Sequence, residues 1–138
     1  MSATKVQFRD IAGTEAAVGW AGNHCIVADR PAGAAGGLGL GFSGGQLLGL
    51  AIGGCLCNDL RYVAHDMGIT LTALAVDVTV NFSDHPRRAT DAEVRIELAC
   101  DDPGADIARL LERARAETTI GTSLPRGVDI RYKTGAGD

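Results

Sequence analysis

Residues 46–64 read QLLGLAIGGCLCNDLRYVA, the most apolar stretch of the chain, with Cys55 and Cys57 in its middle. A glycine-rich segment, residues 31–45 (PAGAAGGLGLGFSGG), introduces it, and Met67-Gly68 closes it. That many glycines carry too much backbone entropy for a regular element, so 31–45 is predicted to be a loop that delivers the chain into one helix, Gly45 to Met67. At 1.5 Å per residue the helix runs roughly 34 Å, enough to cross a small domain. Its first half is apolar on every side, the pattern of a helix buried all round, whereas Asp59, Arg61, His65 and Asp66 mark a second half that reaches water. Gly68 is placed to cap it in the left-handed conformation.

Outward from the helix, the chain alternates with period two. Thr4–Phe8, residues 16–20 and His24–Asp29 read as strands of an N-terminal antiparallel meander. Leu71–Phe82 and Thr90–Cys100 read as a strand pair, with Ser83 to Arg88 as the hairpin loop. Asp102-Pro103 has the chemistry of a helix opening, and Ile107, Leu110, Leu111 and Ala114 place one apolar stripe on the helix that follows. Val128, Ile130 and Tyr132 alternate in a final strand. The order gives an α+β fold, antiparallel sheets around a long central buried helix, in a single domain over residues 1–138.

Composition narrows the function. Seventeen acidic and thirteen basic residues, a net charge of -4 and a pI near 5.3 come without charge blocks, which argues against nucleic acid and anionic membrane as partners. The uninterrupted apolar run, Leu47 to Cys57, falls short of the roughly 18 residues of a bilayer span. The opening MSATKVQFRD lacks the pattern of a secretory leader, so a cytoplasmic protein is expected. Cys25, Cys55, Cys57 and Cys100 lack the dense spacing of a disulfide scaffold and would persist as thiols in a reducing compartment.

Two motifs are set aside on context. Gly39-x-Gly41-x-x-Gly44 matches the dinucleotide fingerprint, with Asp59 about twenty residues on. That acid lies in the same long helix rather than at the end of a second strand, and no lysine follows to make a phosphate loop. His24, Cys25, Cys55, Cys57 and His65 have donor atoms for zinc. Positions two apart on a helix point about 200° apart, however, so Cys55 and Cys57 are not expected to share an ion, and no metal or other cofactor is expected. What remains is thiol chemistry. Asp59, one turn beyond Cys55, would oppose a thiolate there, while Arg61 at i+4 from Cys57 would favour one. Local electrostatics therefore make Cys57 the more nucleophilic of the two.

Together, the glycine-rich loop, GGQLLGLAIGGCLCNDL, the strand pair and the late AETTIGTSLPRGVDIRY resemble the OsmC/Ohr family of thiol-dependent organic hydroperoxide reductases, from about His24 to Tyr132. The resemblance implies an intertwined homodimer with the two long helices at its centre and the peroxide site at the interface. It places the peroxidatic cysteine on Cys55, with Cys57 as assistant or runner-up and Arg9 as the loose counterpart of the activating arginine. Where the family carries a glutamate this chain has Gly45, with Gln46 beside it, and Thr118 stands where the resolving cysteine would be. Two readings follow. One is a variant thiol peroxidase that takes an organic hydroperoxide and has its sulfenic acid resolved by Cys25 or Cys100, if the fold or the partner subunit brings one within disulfide reach, or otherwise by an external thiol reductant. The other is a catalytically degenerate member that binds a small apolar ligand in the dimer pocket.

Overall fold

The long helix begins where Ser43 and Gln46 satisfy each other. In the computed structural model, which describes residues 1–135, the Ser43 hydroxyl accepts from the Gln46 amide at 3.3 Å and the Gln46 side-chain oxygen accepts from the Ser43 amide at 2.9 Å. This capping box opens helix α1, Gly44–Asp66. At the other end Gly68 takes a φ of 69° and the Ile69 amide returns to the Ala64 carbonyl at 2.8 Å, the left-handed stop read from sequence. By length and composition the 23-residue helix could cross a bilayer, a length the uninterrupted apolar run alone did not reach. Here it is the core helix of the fold, and its Leu60 is 0% exposed.

Helix α1 lies on an antiparallel pair, β4 (Leu71–Asp84) and β5 (Arg87–Cys100). Gly45, Gly49 and Gly53 form a stripe one turn apart that faces Phe82, Val80 and Val78 in turn. A Cβ at these glycines would lie 2.8 Å from the Phe82 ring, 3.6 Å from Val80 Cγ2 and 3.0 Å from Val78 Cγ2. The match is geometric: four helical residues rise about 6 Å and two strand residues about 6.7 Å, so each glycine meets the next inward side chain of β4. Below the stripe, Leu56, Leu60, Val63 and Ala64 pack with Ile69, Leu71, Leu110 and Ala114 into one apolar core.

Helix α2, Ile107–Glu117, supplies Leu110 and Ala114 from the expected stripe. It opens later than read from sequence. Asp106, not Asp102, is its N-cap, accepting from the Arg109 amide at 3.0 Å. The Asp102 carboxylate is taken by the Gly104 amide (2.8 Å) in a local turn, chemistry that competes with helix formation. A short helix α3, Thr119–Ser123, and a 3-10 turn at Leu124–Arg126 follow.

The N-terminal meander is β1 (Gln7–Asp10), β2 (Ala17–Ala21) and β3 (His24–Ala28), with Gln7 opposite Trp20 and Ala17 opposite Ala28. Strand β1 starts three residues later than expected, at the first residue with a partner across the sheet. The loop from this sheet to α1 is latched by Asp29. Its carboxylate, 1% exposed, accepts from the amides of Leu38 (3.1 Å), Leu40 (3.0 Å) and Arg30 (2.8 Å). These amides, Leu40 foremost, hold it below the usual carboxylate range.

Three sequence expectations are corrected. The β4–β5 hairpin is tighter than 83–88, because Asp84 pairs with Arg87 and only His85-Pro86 lies outside the strands. Residues 128–132 form no strand: Val128, Ile130 and Tyr132 are 65%, 70% and 88% exposed, and among the described residues no strand lies alongside to share hydrogen bonds. Nor does the single chain by itself cover the first half of α1 all round. Ile52 and Gly53 are buried, but Leu50, Ala51 and Gly54 face outward, since the β1–β3 sheet is joined through the loop and does not pack on the helix.

The close approach of α1 to β4 makes Gly53 the sensitive position. Gly53→Leu is expected to lower stability by about 1–3 kcal/mol through overpacking against Val78. Denaturant unfolding measures it, and an unchanged or raised midpoint would contradict this seat.

Candidate active site

The 200° between positions 55 and 57 sends the two helix thiols to different surroundings. Cys57 continues the glycine stripe. It is half-buried at the wall of a groove of about 870 Å³ between α1 and β4, with Leu50, Val78, Phe82 and Arg87 among its lining. Arg61, expected beside Cys57, instead donates to the Leu71 carbonyl at 3.0 Å and so ties the helix to the start of β4. Arg87, which reaches the same groove, sits 5.0 Å over the Phe82 ring.

Cys55 turns toward the junction of α2 and α3. Its thiol donates to Asp59 Oδ2 at 3.3 Å, one helical turn along, and the Thr118 hydroxyl donates to its sulfur at 3.5 Å. The chain therefore carries Thr118, sixty-three residues away in sequence, directly against this thiol. Thr118 is held from both sides. Its amide donates to Ala114 (2.9 Å), its carbonyl accepts the amide (3.0 Å) and the hydroxyl (2.8 Å) of Thr122, and it is 7% exposed. Gly121 completes the seat. A Cβ there would stand 2.7 Å from the Thr118 methyl, so glycine leaves room for the methyl on one side while the hydroxyl turns to Cys55 on the other.

The remaining candidates lie elsewhere. Arg9 is on β1, donating to the Phe8 carbonyl at 2.7 Å and stacked 5.7 Å over Trp20. Its sheet does not reach α1, so one chain does not bring Arg9 to Cys55. Gln46 is spent in the helix cap and Gly45 lies under Phe82. Cys25 is exposed on β3, and the Cys100 thiol donates to the Asp102 carbonyl at 3.1 Å. Among the described residues, no three His, Cys, Asp or Glu side chains converge as metal ligands would. The i+4 spacing already pointed to Asp59 as a neighbour of Cys55, and the structure gives the contact its direction, from thiol to carboxylate. What sequence reasoning did not reach was the role of Gly121, which nothing local signalled.

An acid and an alcohol are thus the groups within hydrogen-bond reach of Cys55 among the described residues. The carboxylate can take a proton from sulfur, and the hydroxyl can hold sulfur in place or donate to an oxygen bound to it.

Comparison with known proteins gives a consistent picture. The profile of the family described as OsmC-like protein matches residues 36–133. No curated protein matches the chain. Among solved structures, an OsmC-like protein from Mycoplasma pneumoniae is similar over 90% of this chain and 88% of its own, with 16% identity and a TM-score of 0.74. A putative osmotic stress induced and detoxification response protein from Psychrobacter arcticus 273-4 has 23% identity, the same coverage of both chains and a TM-score of 0.65. An organic hydroperoxide resistance protein OsmC from Legionella pneumophila has 16% identity, 88% coverage of each chain and a TM-score of 0.60. At these identities the structural likeness establishes the fold.

The 3.5 Å contact between Thr118 Oγ1 and Cys55 Sγ invites a direct chemical check. A sulfur in place of that oxygen needs only to close to about 2.05 Å to form a disulfide. Thr118→Cys is expected to cross-link to Cys55 under mild oxidation, with peptide mapping locating the 55–118 pair. Two free thiols at those positions after oxidation would refute the juxtaposition.

Proposed function

Because the chain belongs to the OsmC-like protein family, whose profile covers most of its length, we propose that it reduces organic hydroperoxides, with Cys55 as the nucleophile. The observation that carries this reading is the meeting of Cys55 and Thr118, since Thr118 occupies the place where the resemblance puts a second thiol. The thiol is also half-exposed, as attack on a bulky substrate requires. In the first step Cys55 sulfur attacks one peroxide oxygen, giving a sulfenic acid and an alcohol. With an alcohol at position 118, no disulfide can form there. An external thiol then condenses with the sulfenic acid to release water, and a second one frees Cys55 as the mixed disulfide is exchanged. Such a cycle suits a reducing compartment such as the cytoplasm.

The working unit in this proposal is a homodimer. Three apolar surfaces support it: the outward side of α1 around Leu50, the sheet residues Phe8 and Ile26 with Val6 just before β1, and the segment bearing Val128, Ile130 and Tyr132. A second copy is the simplest cover for all three at once. It is also the route by which Arg9, distant from Cys55 in its own chain, would approach a sulfur and serve as its cation. The second reading, a binder of small apolar ligands, draws on the groove beside Cys57, with its apolar walls and volume of about 870 Å³. The acid and alcohol around Cys55 favour chemistry over passive binding.

Two measurements decide these proposals. Reduced protein mixed with cumene hydroperoxide and a sulfenic-acid trap should be labelled at Cys55, and Cys55→Ser should abolish that label while Cys57→Ser leaves it. An unlabelled wild-type protein would favour the binder. Sedimentation at micromolar concentration should give twice the chain mass, and a monomer would remove the basis for any role of Arg9.

A further inference from the structure

A thiol that reduces a peroxide must lose one proton, and the departing alkoxide must gain one. The Cys55 thiol already directs its hydrogen at Asp59 Oδ2, 3.3 Å away, along the i, i+4 line of a capped helix. Arg61 on the same helix is spent on the Leu71 carbonyl, and on the facing helix Arg113 is paired with Asp66 at 2.8 Å and Glu117 at 3.1 Å, while Arg115, which lines a cavity with Thr118 and Gly121, donates to the Leu111 carbonyl at 3.2 Å. Within one chain the sulfur therefore meets an acid and an alcohol, a pair able to accept a proton and to hold the thiol in place.

We propose that Asp59 is a catalytic proton carrier for Cys55 and that Thr118 is the residue that positions the sulfur for it. This rests on the thiol peroxidase reading and deepens it. As Cys55 sulfur attacks the peroxide, the sulfur–oxygen bond forms and the oxygen–oxygen bond breaks. Sulfur gives up two electrons to the peroxide, and Asp59 takes the thiol proton. The same carboxyl group then returns that proton to the alkoxide. The products are the Cys55 sulfenic acid and the alcohol, with Asp59 restored as carboxylate. Thr118 touches sulfur but carries no proton through the step. Its hydroxyl, fixed by the Ala114 and Thr122 bonds and by the space at Gly121, keeps the thiol turned toward Asp59.

The alternative for the same geometry is that Asp59 merely opposes ionisation, as a carboxylate beside a thiol can. The two differ in sign. Asp59→Asn keeps the shape and one acceptor but removes the proton carrier, and Cys55 reactivity is followed by peptide mapping against both cumene hydroperoxide and iodoacetamide across pH. The expected result is a loss of about 10²–10⁴-fold in the peroxide rate at neutral pH. The loss should shrink as the pH rises and hydroxide takes over removal of the proton. Asp59→Glu should keep the wild-type shape of the pH profile at a reduced rate, and it stands in if the Asn variant does not fold. Thr118→Val should lower the rate without changing that shape. An Asp59→Asn protein that reacts as fast as wild type, or faster, overturns the proposal. If wild-type Cys55 ignores the hydroperoxide yet its alkylation still depends on Asp59 in this way, the peroxidase reading fails while Asp59 stands as the proton acceptor of Cys55.

Discussion

The close contact between α1 and β4 is the constraint on which the rest of the structure depends. A bulky side chain at position 53 would push the helix off Val78, and the Leu56–Leu60–Val63 layer would then close less tightly on Leu110 and Ala114. Glycine carries a helix-propensity cost of about 1 kcal/mol at each position of the stripe. Burial of the core beneath the stripe offsets it. The seat also fixes the rotation of the helix, and rotation decides which thiol faces what. With Gly53 against Val78, Cys57 must open on the groove and Cys55 on the α2–α3 junction.

That junction gives Cys55 its chemical character. Thr118 ends α2 and begins the turn into α3, so its backbone is held by two helices at once and its hydroxyl has little freedom. A side chain fixed in this way can orient a sulfur, which a flexible lysine or arginine on the surface would do poorly. Asp59 is placed by α1 itself. The two residues reach Cys55 from different elements, so the arrangement exists only when α1, α2 and α3 are all docked.

The elements that obey local rules were legible in the sequence. The glycine loop, the long helix with its Gly68 stop, the β4–β5 pair and the α2 stripe all follow from periodicity and capping within a few residues. What was not legible depended on partners distant in the chain. Alternation at Val128, Ile130 and Tyr132 reads as a strand, but a strand needs a neighbour, and the described residues provide none there. The all-round apolarity of the first half of α1 reads as burial, whereas Leu50 and Gly54 face outward in the single chain. At the site, the nucleophile's position and the importance of Thr118 came through the family resemblance. The distant contact between Thr118 and Cys55, and the space that Gly121 leaves for it, required the folded chain.

The Asp29 latch has a consequence for how this sequence can drift. One carboxylate gathers the amides of Leu38 and Leu40, and the Phe42 amide is held by the Val27 carbonyl at 2.8 Å, so the exit of the loop is anchored to β3 by backbone groups. Main-chain amides are indifferent to which side chains they carry. The identities of Ala32 and Ala34, between the two ends of that anchor, are therefore freer to change across generations than the helix they lead into, whereas Gly33 at φ 83° and Ala35 at φ 45° are restricted by their backbone. Selection there would fall on one aspartate, the spacing behind it and these two turns.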